Sequence, residues 1–200
     1  MEKKQKLCFT IGHSDHSIET FLKLLKKRKI GYLIDIRSKP YSKYAKQFNK
    51  EELEKQIRDN GLQYRYLGNM IGGGNIRFQN SNQNIPLLRE FEDNEKFQNG
   101  IKILYNFILK QKKIVLMCSE KDPFICHRFF LVSYFLQKKD IEIFHILYDG
   151  EIIKNKALEN KLNDYVYQKN LLNFEHKDTT IDELYEQHFF HIYKKFSENK

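Results

Sequence analysis

The stretch "KLCFTIGHSDHSIETFLKLLKKRKIGYLIDIR", Lys6 to Arg37, decides the fold. Its first segment, Lys6 to Gly12, is apolar and reads as a buried strand. After the turn "HSDHS", Ile18, Phe21, Leu22 and Leu25 recur on one helical face, with Ser14, Asp15 or Ser17 placed to cap that helix. Ile30 to Arg37 then reads as a second buried strand. A strand, a helix and a strand in so few residues make a βαβ unit, whose helical crossover returns the second strand parallel to the first.

The same alternation continues downstream. Asn49 caps a helix with Glu52 at its third position, Leu53 and Ile57 on its apolar face, and Gly61 at its end. Leu62 to Leu67 alternates as a strand does, and a Gly- and Asn-rich loop from Gly68 to Asn84 follows, long enough to be a functional flap or an excursion. Asn94 to Gln111 is an amphipathic helix, Lys113 to Cys118 a strand, Pro123 to Lys138 a helix, and Ile141 to Gly150 a strand. Most of these strands are apolar on both faces, as strands covered by helices on both sides are. The expected fold is therefore α/β in three layers, a mainly parallel, Rossmann-like sheet flanked by helices. Residues 1–150 form this α/β unit. Residues 151–200, with helical patterns at Lys156 to Asn170 and Ile181 to Phe196, form a C-terminal helical extension of the same domain.

Composition narrows the class. The 200 residues are 40% hydrophobic, enough for one core without covalent staples. The charged start and short apolar run of the N-terminus do not match a signal peptide, and nowhere do about 18 apolar residues run together, so a cytoplasmic protein with no membrane contact is expected. Three cysteines, Cys8, Cys118 and Cys126, are read as thiols. The net charge of +9 lies before Gly150, because eight lysines face nine acidic residues from Glu151 onward. Such a surface attracts anionic small molecules or nucleic acid.

In an open parallel sheet, ligands sit beyond the carboxyl ends of the strands. Three groups of polar residues are expected to share that rim: Gly12, His13 and Ser14 after the first strand, Asp35 and Arg37 at the end of the second, and Cys118 to Arg128 after the fourth. Within the last, Asp122 suits an N-cap and Pro123 the first helical position, which puts Cys126, His127 and Arg128 in the first turn and a half of a helix. A thiol there has its thiolate favoured, and Arg128 can fork an anion. Cys8, in mid-strand, is read as core, and His145 as a satisfied sheet residue.

"TIGHS" (Thr10 to Ser14), "IDIRSKPYS" (Ile34 to Ser42), "YRYLGNMIGG" (Tyr64 to Gly73) and "LMCSEKDPFICHR" (Leu116 to Arg128) resemble, in that order and spacing, the signature blocks of the domain of unknown function family numbered 488. The resemblance implies a compact α/β domain with a Rossmann-like sheet. The family's recurrent positions fall on residues that include Gly12, His13, Ser14, Asp35, Arg37, Ser42, Gly72, Gly73, Cys118, Glu120, Cys126, His127 and Arg128. A weaker likeness to rhodanese sulfurtransferases and cysteine phosphatases stops at the phosphate cradle, since nine residues separate Cys118 from Arg128.

Three functions compete. The first is an enzyme, a cysteine- or acid/base-dependent hydrolase or transferase acting on a phosphate-bearing nucleotide or nucleic acid. Its catalytic candidates are Cys118, Cys126, His127, His13, Asp35 and Glu120, and its substrate-binding candidates Arg37, Arg128, Ser14, Ser42, Gly72 and Gly73. The second is a metal site, for which Cys118, Cys126, His127 and His13 suit zinc. The spacing is not a paired CxxC and adjacent Cys and His rarely ligate one ion, so no metal ligand is assigned and no cofactor is required. The third is a non-catalytic module binding nucleic acid or nucleotide through the basic first 150 residues. Neither a Walker motif nor a full GxGxxG is present.

Overall fold

A computed structural model describes residues 6–74, 88–110, 113–170 and 179–198. Six strands form one sheet: β1 (Leu7–Gly12), β2 (Tyr32–Asp35), β3 (Gln63–Tyr66), β4 (Ile114–Cys118), β5 (Glu142–Ile146) and β6 (Ile152–Lys154), in the order β3-β2-β4-β1-β5-β6. The first five run parallel and β6 pairs antiparallel with β5. The opening βαβ unit is present, with α1 (Ile18–Lys27) as its crossover, but β1 and β2 are not neighbours. β4 lies between them, with Gly12 opposite Cys118 and Asp35 opposite Met117.

Side-chain chemistry agrees with that central place. All five residues of β4 are buried, the mark of a strand at the centre of a covered sheet. Val115 and Met117 face one layer with Phe21 and Leu25 of α1 and with Leu53 and Ile57 of α2 (Lys50–Asp59). Leu116 and Cys118 face the other, with α4 (Glu95–Lys110), α6 (Asn155–Asn170) and α7 (Ile181–Glu198). The three layers are thus the two sides of a period-two pattern.

Local signals resolve in particular ways. Ser17 is the cap of α1, its side chain accepting from Thr20 N at 3.2 Å. Asn49 precedes α2, but its Oδ1 accepts from Ser42 N at 2.7 Å and so closes the preceding loop rather than capping the helix. The expected loop after β3 begins with the short helix α3 (Gly68–Ile71), and its residues 75–84 lie outside the described residues, as does Gln111. The expected strand to Gly150 is shorter and turns at Gly150, φ +86°, into β6, so the sheet takes a strand from beyond residue 150.

The helix expected from Pro123 also differs. Asp122 Oδ1 accepts from Phe124 N at 2.8 Å and Cys126 N donates to Pro123 O at 3.1 Å, which makes a turn. A π-helix then spans Arg128–Ser133 and leads into α5 (Tyr134–Gln137). The wider π turn, in which Ser133 Oγ donates to Arg128 O at 2.6 Å, re-aims the side chains at its start relative to an α-helix. Cys126 and His127 precede it and face the end of β4, so the expected helix-start effect on the Cys126 thiol does not apply.

Candidate metal centre

The rim is assembled by the loops after β1, β2 and β4. The chain leaving β4 folds back over β1: His13 N donates to Cys118 O and Ser14 N to Ser119 O, both at 2.9 Å. A Cβ on Gly12 would lie 1.8 Å from Glu120 O, so only glycine admits that approach. Arg128, wholly buried, holds the same loop from beneath, with Nη1 donating to Glu120 O at 2.7 Å and Nη2 to Lys121 O at 3.1 Å. Its guanidinium therefore staples backbone and does not reach the surface as the expected anion fork.

On this loop four side chains of different chemistry meet. The ligand-type atoms of Cys118, Glu120, Cys126 and His127 all lie within 4.8 Å of one another. One Glu120 oxygen, Oε2, accepts from Cys118 Sγ at 2.7 Å and from Cys126 Sγ at 2.9 Å. His127 Nδ1 lies 3.4 Å from Cys118 Sγ and 3.9 Å from Cys126 Sγ. Its Nε2 is 3.0 Å from Ile36 O, an obligate acceptor, so Nε2 carries a proton and Nδ1 faces the sulfurs. This is how histidine ligands are oriented in metal sites, one ring nitrogen fixed by a carbonyl and the other presented to the ion. Exposure is 2% at Cys118, 1% at Cys126 and 8% at His127, while Glu120 keeps a partly exposed face.

The four groups shift one another's protonation, and His127 is itself raised, since burial opposes its charge but Cys126 and Glu120 outweigh that effect. Burial pushes the Cys118 thiol up and the Cys126 thiol well above its ordinary value, so neither is a thiolate by virtue of its surroundings. Burial also opposes the charge on Glu120, but His127 and the two thiol donors outweigh it and bring the carboxyl down to about 2. A divalent ion reverses the thiol balance, because a coordinating thiol is deprotonated outright. Two sulfurs, an imidazole nitrogen and a carboxylate oxygen are the donor types of tetrahedral zinc.

The remaining expected residues form a second layer. Asp35, fully buried, accepts from Arg37 Nε and Nη2 at 3.0 and 2.7 Å, and from Tyr64 Oη at 2.8 Å. Arg37 Nη1 donates to His13 Nε2 at 3.2 Å, and His13 Nδ1 in turn donates to Ser14 O at 2.9 Å. His13 stacks on Phe48 with ring centroids 4.3 Å apart. Burial and the Arg37 charge bring His13 down to about 4, so it is neutral with both nitrogens occupied. Arg37 and Asp35 thus orient His13 and each other, and His13 is not one of the four converging donors. Ser38 Oγ accepts from Gly74 N at 2.6 Å, which folds the Gly72 to Gly74 turn over the rim, where Gly73 packs on His127. Ser14, at φ +46°, hydrogen-bonds Asp15, and Ser42 Oγ accepts from Tyr44 N and Ala45 N, so both shape turns.

The sequence placed Cys118, Cys126 and His127 with His13 as donors suited to zinc without assigning a metal ligand, and placed Glu120 only among the catalytic candidates; the structure brings Glu120, not His13, to the other three. Glu120 joins them because the chain turns back over Gly12 and carries residue 120 toward the two sulfurs. Tyr64, Phe48 and the Ile36 carbonyl were not anticipated. A tyrosine in an alternating strand beside a buried aspartate was the available signal for Tyr64, and a backbone carbonyl leaves none.

A comparison with known protein families gives a match over residues 17–135, to the family described as domain of unknown function DUF488. No curated protein and no solved structure matches the chain.

Proposed function

Because the chain belongs to the DUF488 family, whose description assigns no activity, we propose from the geometry that it is a metalloprotein. Its zinc-type centre, held by Cys118, Glu120, Cys126 and His127, is the functional site of the sheet rim. The observation that carries this reading is the convergence of four donor atoms within 4.8 Å, with His127 Nε2 fixed on a backbone carbonyl. The site lies beyond the carboxyl ends of parallel strands, where such folds place their chemistry.

A thiol nucleophile and a thiolate ligand both need the proton removed, and burial raises both thiols; a bound cation would itself remove those protons, whereas a nucleophile has no such help here. When bound, the ion supplies a Lewis acid and a fixed positive charge at this edge. Glu120, partly exposed while the other three are enclosed, is the ligand that a substrate oxygen would displace. A hydrolase or transferase acting on a phosphate-bearing substrate fits a centre of this kind, with the cation doing what Arg37 and Arg128, both engaged within the fold, do not.

Elemental mass spectrometry of the untagged protein, purified without added metal, tests the reading. It should find close to one zinc-type ion per chain. The ion should be lost in Cys126→Ala and in Glu120→Gln, and retained in Cys8→Ala, whose thiol lies in mid-strand outside the cluster. Glu120→Gln changes a partly exposed side chain and keeps the test open should Cys126→Ala fail to fold. Wild-type protein that folds without metal, or equal metal in all variants, would overturn the proposal.

A further inference from the structure

Between Asp35 and Glu51 the chain holds no acidic residue, yet it carries Arg37, Lys39, Lys43, Lys46 and Lys50. Asp35 neutralises Arg37, and the four lysines remain without an ion pair among the described residues. Tyr41 and Tyr44 are interleaved with them and stand 57% and 87% exposed. A tyrosine exposed to that extent adds nothing to the core.

The segment that carries them is nevertheless fixed. Phe48 is fully buried, with His13 stacked on it and Phe21 edge-on at 5.2 Å. Ser42 Oγ accepts from two backbone amides, Asn49 Oδ1 holds Ser42 N, and Lys50 N donates to Pro40 O at 3.0 Å. Gln47 Nε2 ties the segment to His16 O at 3.0 Å. Tyr41 Oη donates to Glu51 at 2.7 Å, which orients its ring, and Lys43 Nζ lies 4.9 Å from the Tyr44 ring centroid. Residues 38–50 are thus a pre-organised platform presenting two aromatic rings among lysines.

Other exposed aromatics at this end of the sheet differ. Tyr148, 36% exposed, has both His16 stacked at 4.2 Å and Lys121 Nζ 3.8 Å from its centroid, whereas among the described residues Tyr44 carries Lys43 alone as a ring partner, at 4.9 Å. Tyr41 and Tyr44 are the more exposed pair, and Lys43 can leave the Tyr44 face for a phosphate.

We propose that residues 38–50 form a binding surface for single-stranded nucleic acid. Bases stack on Tyr41 and Tyr44, and Lys39, Lys43 and Lys46 meet the phosphates. Aromatic rings interleaved with cations on an exposed, ordered loop are how unpaired strands are held without sequence readout, because every base has a π-face. Duplex DNA hides those faces, and an acidic protein needs only the lysines. The surface begins one residue beyond Arg37, and its first residue, Ser38, holds Gly74 N beside the Gly73 that packs on His127 of the Cys/His/Glu cluster. The proposal does not depend on that cluster holding metal.

Fluorescence anisotropy with a labelled oligothymidylate of about 20 nucleotides tests it, beside a duplex of the same length and heparin as an unstructured polyanion. The single strand should bind more tightly than the duplex. Tyr41→Ala/Tyr44→Ala should weaken it about tenfold or more. Lys39→Gln/Lys43→Gln/Lys46→Gln should weaken all strands alike and reduce the slope of log K against log salt by about 0.7 for each phosphate that the variant no longer neutralises. Both variants alter exposed side chains, and circular dichroism and metal content should match wild type. Absence of binding at low salt, or single strand, duplex and heparin bound equally with no effect of the tyrosines, would overturn the proposal. The latter result would mark a general polyanion surface.

Discussion

His145 is buried in β5, its Nδ1 accepting from Thr10 Oγ1 at 2.7 Å and its Nε2 donating to Asn155 Oδ1 at 2.8 Å. Both nitrogens are satisfied in the neutral ring, and burial brings its pKa from 6.5 to about 4. Between those values the unfolded chain binds the proton and the folded chain does not, so stability falls as pH drops through 6.5 and the loss levels off near 4. His188, likewise brought to about 4, acts in the same direction. Each such group contributes at most about 1.4 kcal/mol per pH unit in that window. Urea denaturation should show stability falling between pH 7 and pH 5, and His145→Gln, less stable at pH 7, should show a shallower fall. An unchanged slope in the variant would mean that His145 protonates in the folded state. Its role as a satisfied sheet residue was legible in the sequence, because a lone histidine in an apolar strand has to find partners inside. The partners, Thr10 one strand away and Asn155 at the start of α6, were not, since strand order is not written in local pattern.

The elements around the cluster show why its location was readable and its construction was not. Alternating strands and helices gave a parallel sheet, and strand ends gave the rim, so Cys118, Cys126 and His127 were expected there, the last two in a helix start that the structure replaces with a turn. The insertion of β4 between β1 and β2 is a choice among long-range pairings, and the π turns after His127 pack on α7 through Phe130 against His188 and Phe189. That helix reaches both sides of the cluster. His188 Nε2 donates to Phe124 O at 2.8 Å, and Tyr193 Oη donates to Gly73 O. The matched family region stops at residue 135, so α7 adds bracing from outside it. His188→Ala should keep the fold and the full metal content but lose the ion to a chelator about tenfold faster, as outer groups of metal sites do. Stopped-flow transfer of zinc to a chromophoric chelator measures this, and equal rates in variant and wild type would remove α7 from the account.

At the scale of the whole molecule, charge and architecture point to the same edge. No helix among the described residues is long and apolar enough to cross a membrane. The positive charge lies in the first 150 residues, and its lysine-rich segment 38–50 leaves β2 at the rim that β1 and β4 also reach. One sheet edge thus carries a buried donor set and an exposed cationic, aromatic loop. The donor set is the central claim. X-ray absorption at the metal edge of the purified, untagged protein tests it most directly, because it reads ligand type as well as presence. The account predicts zinc with two sulfurs at about 2.3 Å and two nitrogen or oxygen neighbours at about 2.0–2.2 Å. A coordination sphere without sulfur, or protein that is folded and free of metal, would contradict it.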